Sequence, residues 1–200
     1  MKNVTSQPRG IQWTFTKQLE DLDFADDIGL LSHSHHHIQD KTQSLSYIAK
    51  GTGLEINTKK TKSMRVNSTR DAAIMLEGQP IDDVESFTYL GSVVSRTGGS
   101  DEDVKVRIGK ARHAYNTLGP VWNNRNIRTK TKLKLFNSNV KTVLLYGSET
   151  WKHTKKLEQK LQVFINTCLR RILRIHWPDR ISNQELWRRT KQKPVFTTIK

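Results

Sequence analysis

The sequence predicts an α+β fold: a first part of short antiparallel strands with one helix, then an all-α helical bundle. Three observations predict it. Two short apolar runs flank the acidic pair Asp26-Asp27, as in a hairpin. After Gly98-Gly99 the apolar residues recur by threes and fours, as on helix faces. Charge changes at the same place: residues 1–100 carry 11 Lys+Arg against 12 Asp+Glu, whereas residues 101–200 carry 23 against 7.

The elements follow in order. Leu22 to Leu31 predicts a strand, a tight turn holding both acids, and a returning strand whose apolar residues pair and bury. Ser34 is a candidate cap for a helix to about Lys50, with Ile38, Leu45 and Ile48 inward and Gly51 or Gly53 as its stop. Lys62 to Asn67 alternates like a half-buried strand. Ala73 to Leu76 predicts another strand, turning at Glu77-Gly78, and Phe87 to Val94 a third strand region. Gly98-Gly99 is the expected domain boundary.

Beyond it, Ser100 and Asp103 form an approximate capping box, and Val104, Ile108, Ala111, Tyr115 and Leu118 make one apolar stripe that Gly119-Pro120 ends. A second helix is expected from Thr129, with Leu133, Phe136, Val140, Val143 and Leu144 on one side. A third begins near Thr154, with Leu157, Leu161, Phe164, Cys168, Ile172 and Ile175 inward. Ser182 to Glu185 is a better capping box and opens a short last helix. Such stripes bury against one another as a small bundle.

Composition narrows the function classes. A net charge of +15, concentrated in the second part, is an electrostatic footprint for a polyanion. Nucleic acid fits better than a membrane surface, because the cations spread over several helices. No apolar run approaches the roughly 18 residues of a membrane span, and the first residues lack the apolar stretch of a signal peptide. One cysteine, Cys168, excludes an internal disulfide and a multi-cysteine zinc knuckle within these residues. An intracellular location is the expectation: the nucleus or a cytoplasmic ribonucleoprotein.

The chemistry-bearing residues begin with Asp26 and Asp27. Two carboxylates on a rigid hairpin suit a hard divalent cation such as Mg²⁺, and equally suit a solvated turn. His33, His35, His36 and His37 are too close in sequence to converge on one ion, and no metal is assigned to them. Trp122, Trp151, Trp177 and Trp187 could stack on bases, although tryptophan at helix ends more often packs.

Phe24-Ala25-Asp26-Asp27 resembles the third conserved motif of reverse transcriptases, with Phe at its first position. Gly53-Leu54-Glu55-Ile56-Asn57-Thr58-Lys59-Lys60-Thr61 resembles the following Gly-Leu-x-x-Asn-x-x-Lys-Thr motif of non-LTR retrotransposon polymerases. Phe87-Thr88-Tyr89-Leu90-Gly91-Ser92 is similar to the primer grip. Leu144 to Trp151 and Cys168 to Ile175 resemble segments downstream of the polymerase core in the same elements. The resemblance, from about Arg9 to about Arg189, is to the endonuclease–reverse transcriptase of a LINE-like element.

That resemblance implies specific roles. Residues 1–98 would be the C-terminal half of a polymerase palm, and 99–200 a basic helical thumb with its extension. Asp26 would be the direct metal ligand, with Asp27 supporting it, and Lys60 would place a positive charge or a proton near the leaving pyrophosphate. The ion would be Mg²⁺, with Mn²⁺ as the alternative. Phe87, Tyr89, Leu90 and Gly91 would steady the primer end. Lys105, Arg107, Lys110 and Arg112 on the first helix, expected off its apolar stripe, would contact phosphates. So would Lys130, Lys134 and Lys141 on the second helix and Arg170, Arg171 and Arg174 on the third. The partners implied are an RNA template, a DNA primer and, in the full-length protein, deoxynucleotides.

A further metal-binding Asp from an earlier motif, a Gly-rich nucleotide-pocket motif, the fingers and an endonuclease domain have no counterpart in these residues; Asp21 and Asp23 stand in the wrong context. The expectation is a polymerase fragment, inactive alone. The alternative is a non-catalytic nucleic-acid-binding remnant.

Overall fold

Two-residue turns shape the first ninety residues. In the computed structural model, which describes residues 9–68 and 72–199, β1 (Ile11–Gln12) pairs antiparallel with β2 (Gln18–Leu19), and β3 (Asp21–Phe24) with β4 (Asp27–Leu30). A helix, α1 (His35–Gly51), follows. Then β5 (Lys62–Ser63) pairs parallel with β8 (Asp82–Asp83), and β6 (Met75–Leu76) pairs antiparallel with β7 (Gln79–Pro80). The expected third strand region is itself a hairpin, β9 (Ser86–Tyr89) and β10 (Ser92–Ser95), because Leu90 and Gly91 both adopt positive φ, 48° and 83°. Glu77-Gly78 does the same between β6 and β7, with φ of 53° and 78°. Paired positive φ values match the right-handed twist of a tight hairpin, and a glycine second lowers their cost.

The helices are α2 (Asp101–Thr117), α3 (Gly119–Asn123), α4 (Thr129–Leu135), a π-helical segment (Phe136–Lys141), α5 (Thr142–Leu145), α6 (Lys155–Ile172) and α7 (Asn183–Thr190). Single 3₁₀ turns lie at Ser148–Thr150 and Val195–Thr197. The chain is therefore α+β. Gly119-Pro120 does not simply end α2. Proline suits the first helical turn, where its missing N–H is not needed, and it opens α3.

Two compact units divide the chain: residues through Leu90 with Val94–Thr97, and Gly91–Val93 with Gly98 onward. The first has a small core of Ile74, Leu76 and Ile81, with Ile38 and Ile56 against it. The second is built on Val104, Ala111, Tyr115, Phe136, Val140, Leu144, Leu157, Leu161, Leu169, Ile172 and Leu186, all buried. Each fully buried leucine contributes about 1.5–3 kcal/mol, so the second unit holds most of the apolar stabilisation.

Three local expectations are corrected. Along α1, Ile38, Leu45 and Ile48 are only half-buried; the buried residues are Lys41, Thr42 and Ser46. The Ser100–Asp103 box does not form. Ser100 Oγ accepts from Lys152 N at 2.8 Å, and Asp103 accepts from Val93 N at 2.9 Å and Trp151 Nε1 at 2.7 Å. At α7 only half the box forms: Ser182 Oγ accepts from Glu185 N at 3.2 Å, but the Glu185 carboxylate turns to Arg188 and Arg189.

Cys168 is 3% exposed, and burial pushes its thiol up to about 12. The thiolate is the reactive form. The native chain at pH 8 is therefore expected to resist an aromatic disulfide reagent, and to react fully once denaturant is added. Rapid stoichiometric labelling of the native chain would contradict the packing of α6.

Candidate functional site

The acidic hairpin is set by its register. Phe24 faces Asp27, Asp23 faces Ile28, Leu22 faces Gly29 and Asp21 faces Leu30. The turn is Ala25-Asp26, not the two acids, so Asp26 stands at the tip and Asp27 begins β4. Ala25 takes a φ of 55°, which costs a residue with a Cβ and which Gly would adopt freely. Both acids are exposed. The flanking apolar residues pair but do not bury: Leu22, Phe24 and Ile28 are exposed, Phe24 at 64%.

Tyr89 is brought to this hairpin from β9. Its hydroxyl donates to the Leu22 carbonyl at 3.3 Å, and its ring lies beside Gly29. Burial first, then the Asp27 and Asp23 carboxylates, push the phenol above its ordinary value of 10.0. The first unit therefore places one residue of the expected primer grip against the two-acid strand pair. Phe87 is half-buried and Leu90 exposed.

The base of the hairpin is held by a residue that sequence reasoning passed over. Lys41 Nζ, 2% exposed at its side chain, donates to Glu20 Oε2 at 2.6 Å, to the Leu31 carbonyl at 2.7 Å and to the Glu20 carbonyl at 3.2 Å. The Glu20 carboxylate also accepts from the Gly10 amide at 2.9 Å and the Arg9 amide at 3.0 Å. The ammonium thus ties together both ends of the β3–β4 ribbon.

Lys60 lies in a turn that explains its neighbours. Gly53 has a φ of 77° after α1, and the Leu54 amide donates back to the Ala49 carbonyl at 2.9 Å. Asn57 Oδ1 accepts from Lys60 N at 3.1 Å, and Thr61 Oγ1 donates to the Asn57 carbonyl at 2.8 Å. Gly53, Asn57 and Thr61 are thus structural, while the Lys60 side chain is exposed.

Asp26 and Asp27 offer hard oxygen donors, so they suit Mg²⁺ as two of its ligands. Among the described residues no group of three or more His, Cys, Asp or Glu gathers to hold a metal. His33 Nδ1 and His35 Nε2 instead meet the carbonyls of Gly10 and Ala72 at 2.9 and 3.0 Å.

In the second unit, Lys105, Lys110, Arg112, Lys130, Lys134 and Arg171 project into solvent. Arg174 is exposed and donates to the Asn123 carbonyl at 2.6 Å; Arg170 donates to Asn183 Oδ1 at 2.8 Å. Two placements are corrected. Arg107 is 5% exposed: its guanidinium donates to the Gly91 carbonyl at 2.5 Å and lies 4.4 Å over the Tyr146 ring. It anchors a loop and does not face solvent. Lys141 is half-buried, donates to Gln192 Oε1 at 3.3 Å, and has its pKa lowered by desolvation. The indoles of Trp122, Trp151 and Trp187 donate to the Tyr115 carbonyl, Asp103 and Asn166, as packing residues do; Trp177 is exposed.

Comparison with known proteins adds two findings. Residues 114–146, from the end of α2 into the loop after α5, match a family described as a domain of unknown function, DUF6451. Over 164 residues, 80% of this chain, the sequence is 30% identical to an uncharacterized transposon-derived protein of Caenorhabditis elegans, F52C9.6. The chain spans 58% of that relative's length. The similarity accords with a transposable-element origin. No helix among the described residues is long and apolar enough to cross a membrane.

Proposed function

We propose that the chain is part of the RNA-directed DNA polymerase of a non-LTR, LINE-like retrotransposon, with residues 1–98 belonging to the palm and 99–200 to a basic thumb. The observation that carries this reading is the two-acid hairpin with Tyr89 hydrogen-bonded to it, in a chain whose motifs run in polymerase order. The transposon-derived relative supports it.

In this reading Asp26 and Asp27 hold Mg²⁺, which when bound stabilises charge on the transferring phosphoryl group. The chain's own residues do the positioning. Lys41 fixes the hairpin base, Tyr89 stiffens the strand beside the acids, and Lys60 lends a positive charge toward the leaving group. The exposed cations Lys105, Lys110, Arg112, Lys130, Lys134 and Arg171 contact template and primer phosphates without reading sequence. Arg107 and Lys141 are left out, being committed to internal contacts.

The test compares the chain with Asp26→Asn, using an RNA template annealed to a DNA primer. Both are expected to retain the duplex in a shift assay. With six phosphate contacts, affinity should fall about 10³-fold between 50 and 200 mM salt. Neither is expected to extend the primer, because two carboxylates are fewer than a two-metal site uses. Extension by the parent alone would place the polymerase activity in this chain and overturn that expectation. Failure of both to bind would overturn the reading as a whole. Binding that survives Asp26→Asn, where the chain joined to the element's remaining polymerase segments also fails to extend, favours the binding-remnant reading; the charge of residues 101–200 is the observation behind it.

A further inference from the structure

Between α2 and α6 runs an open groove of about 680 Å³. Its floor is apolar: Ile108 from α2, Val163 and Phe164 from α6. Its rim is cationic: Lys156 from α6, together with Arg112 from α2 and Arg171 from α6, two of the cations offered to phosphates above, for which an acidic helix and a nucleic acid would compete. Lys160 lies on the same rim and pairs with Asp101 at 3.0 Å. No Asp or Glu lines it among the described residues. Val163 is the informative side chain. It stands 58% exposed on a helix whose apolar stripe runs elsewhere, through Leu157, Leu161, Ile165 and Leu169.

The dimensions define an occupant. From Lys156 to Arg171 the groove follows α6 for about 22 Å, the length of roughly 15 helical residues. An apolar floor of helix length takes the apolar stripe of an amphipathic helix. A rim of cations without acids selects acidic residues on its flanks. A nucleic-acid strand would want exposed aromatic faces to stack on. Here the Tyr115 ring is stacked on Trp122, with centroids 5.2 Å apart, and the most exposed floor residue is aliphatic.

We propose that the α2–α6 groove is a docking site for an acidic amphipathic helix of a partner protein. The test uses the whole chain and two dye-labelled 16-residue peptides of identical Leu, Ala and Glu composition. One carries its leucines on a single helical stripe; the other is scrambled. By fluorescence anisotropy the striped peptide is expected to bind at least ten-fold tighter than the scrambled one. Val163→Glu, at an exposed position, should abolish that preference, and Lys156→Glu should weaken the striped peptide about five-fold or more. Equal binding of the two peptides overturns the proposal, as does a preference that survives both variants. So does a single-stranded RNA 20-mer that binds the groove instead, its affinity falling with Val163→Glu while the peptides do not discriminate. RNA binding that ignores Val163→Glu leaves the proposed function standing whatever the peptides do, so the two readings fail separately.

Discussion

Asp103→Ala is expected to cost about 3–5 kcal/mol of stability, the range for removing one partner of a buried charge pair. Asp103 is 3% exposed and does two jobs: one carboxylate oxygen accepts from the Val93 amide, the other from the Trp151 indole. Arg107, 5% exposed, has its Nε 3.9 Å from Asp103 Oδ1, and among the described residues that Nε has no hydrogen-bond partner. The distance is long for a hydrogen bond, so the acid acts on Arg107 chiefly through its field. Without it, a guanidinium remains in the interior with the Gly91 carbonyl and the Tyr146 ring as neighbours. Urea unfolding of the whole chain measures the loss as a lowered midpoint for the second unit. Asp103→Asn keeps one acceptor but no charge and should fall between the two. An unchanged midpoint for Asp103→Ala would mean that the network contributes nothing.

Lys41→Met should release the acidic hairpin. Methionine fills the space of the lysine stem but cannot donate. The Glu20 carboxylate then keeps only two backbone donors and the Leu31 carbonyl loses the lysine, at about 1–3 kcal/mol for a group left unsatisfied, while the Glu20 carbonyl keeps the Leu31 amide at 2.9 Å. Amide exchange across β3 and β4 should accelerate by at least 100-fold, with the core of the second unit unchanged. The pH dependence has a defined sign. Burial alone would raise the Glu20 carboxyl, but the Lys41 ammonium and the Gly10 and Arg9 amides outweigh it and hold the group below its ordinary 4.5. A depressed carboxyl stabilises the fold fully above pH 4.5 and loses that contribution as pH falls through the lowered value. The parent hairpin should therefore open in acid, and in Lys41→Met that opening should begin at higher pH. Identical acid profiles for parent and variant would sink this account.

Both residues show where periodicity alone misleads. Val104, Arg107, Ile108 and Ala111 stand at i, i+3, i+4 and i+7, so Arg107 lies inside the buried stripe despite its charge. Ile38, Lys41, Thr42 and Leu45 repeat the pattern. The helices of the second unit were legible because their stripes are long and their caps, Thr154 and Ser182, are local. The partners of the buried cations were not. Gly91 lies sixteen residues from Arg107, and Glu20 twenty-one from Lys41, so no local spacing reports them. The acidic turn shows a smaller failure of the same kind. Asp-Asp chemistry suggested that both acids fill the turn, yet the register of Phe24 with Asp27 moves the turn back onto Ala25. The α2–α6 groove left only a faint trace, an aliphatic Val163 off its helix's stripe, because a groove needs two helices to exist.

Lys132, Phe136, Val140 and Leu144, all buried, follow one another at intervals of four. An ordinary α-helix overshoots by about 40° at each such step, so the last of the four would face about 120° away from the first. The π-helical turns at Phe136–Lys141 wind more slowly and absorb that drift, keeping the four on one side. Insertions and deletions are therefore not equivalent along this helix. Losing one residue within the π segment would let the remaining five wind as an α-helix, which makes good the lost rotation and keeps the downstream faces; adding one would turn everything downstream by about 100°. That would carry Tyr146 away from the Arg107 guanidinium and Gly147 from Ser92. Lengthening between Phe136 and Lys141 is under stricter constraint than loss of one residue there, or than residue identity at the exposed positions Asn137, Ser138 and Asn139.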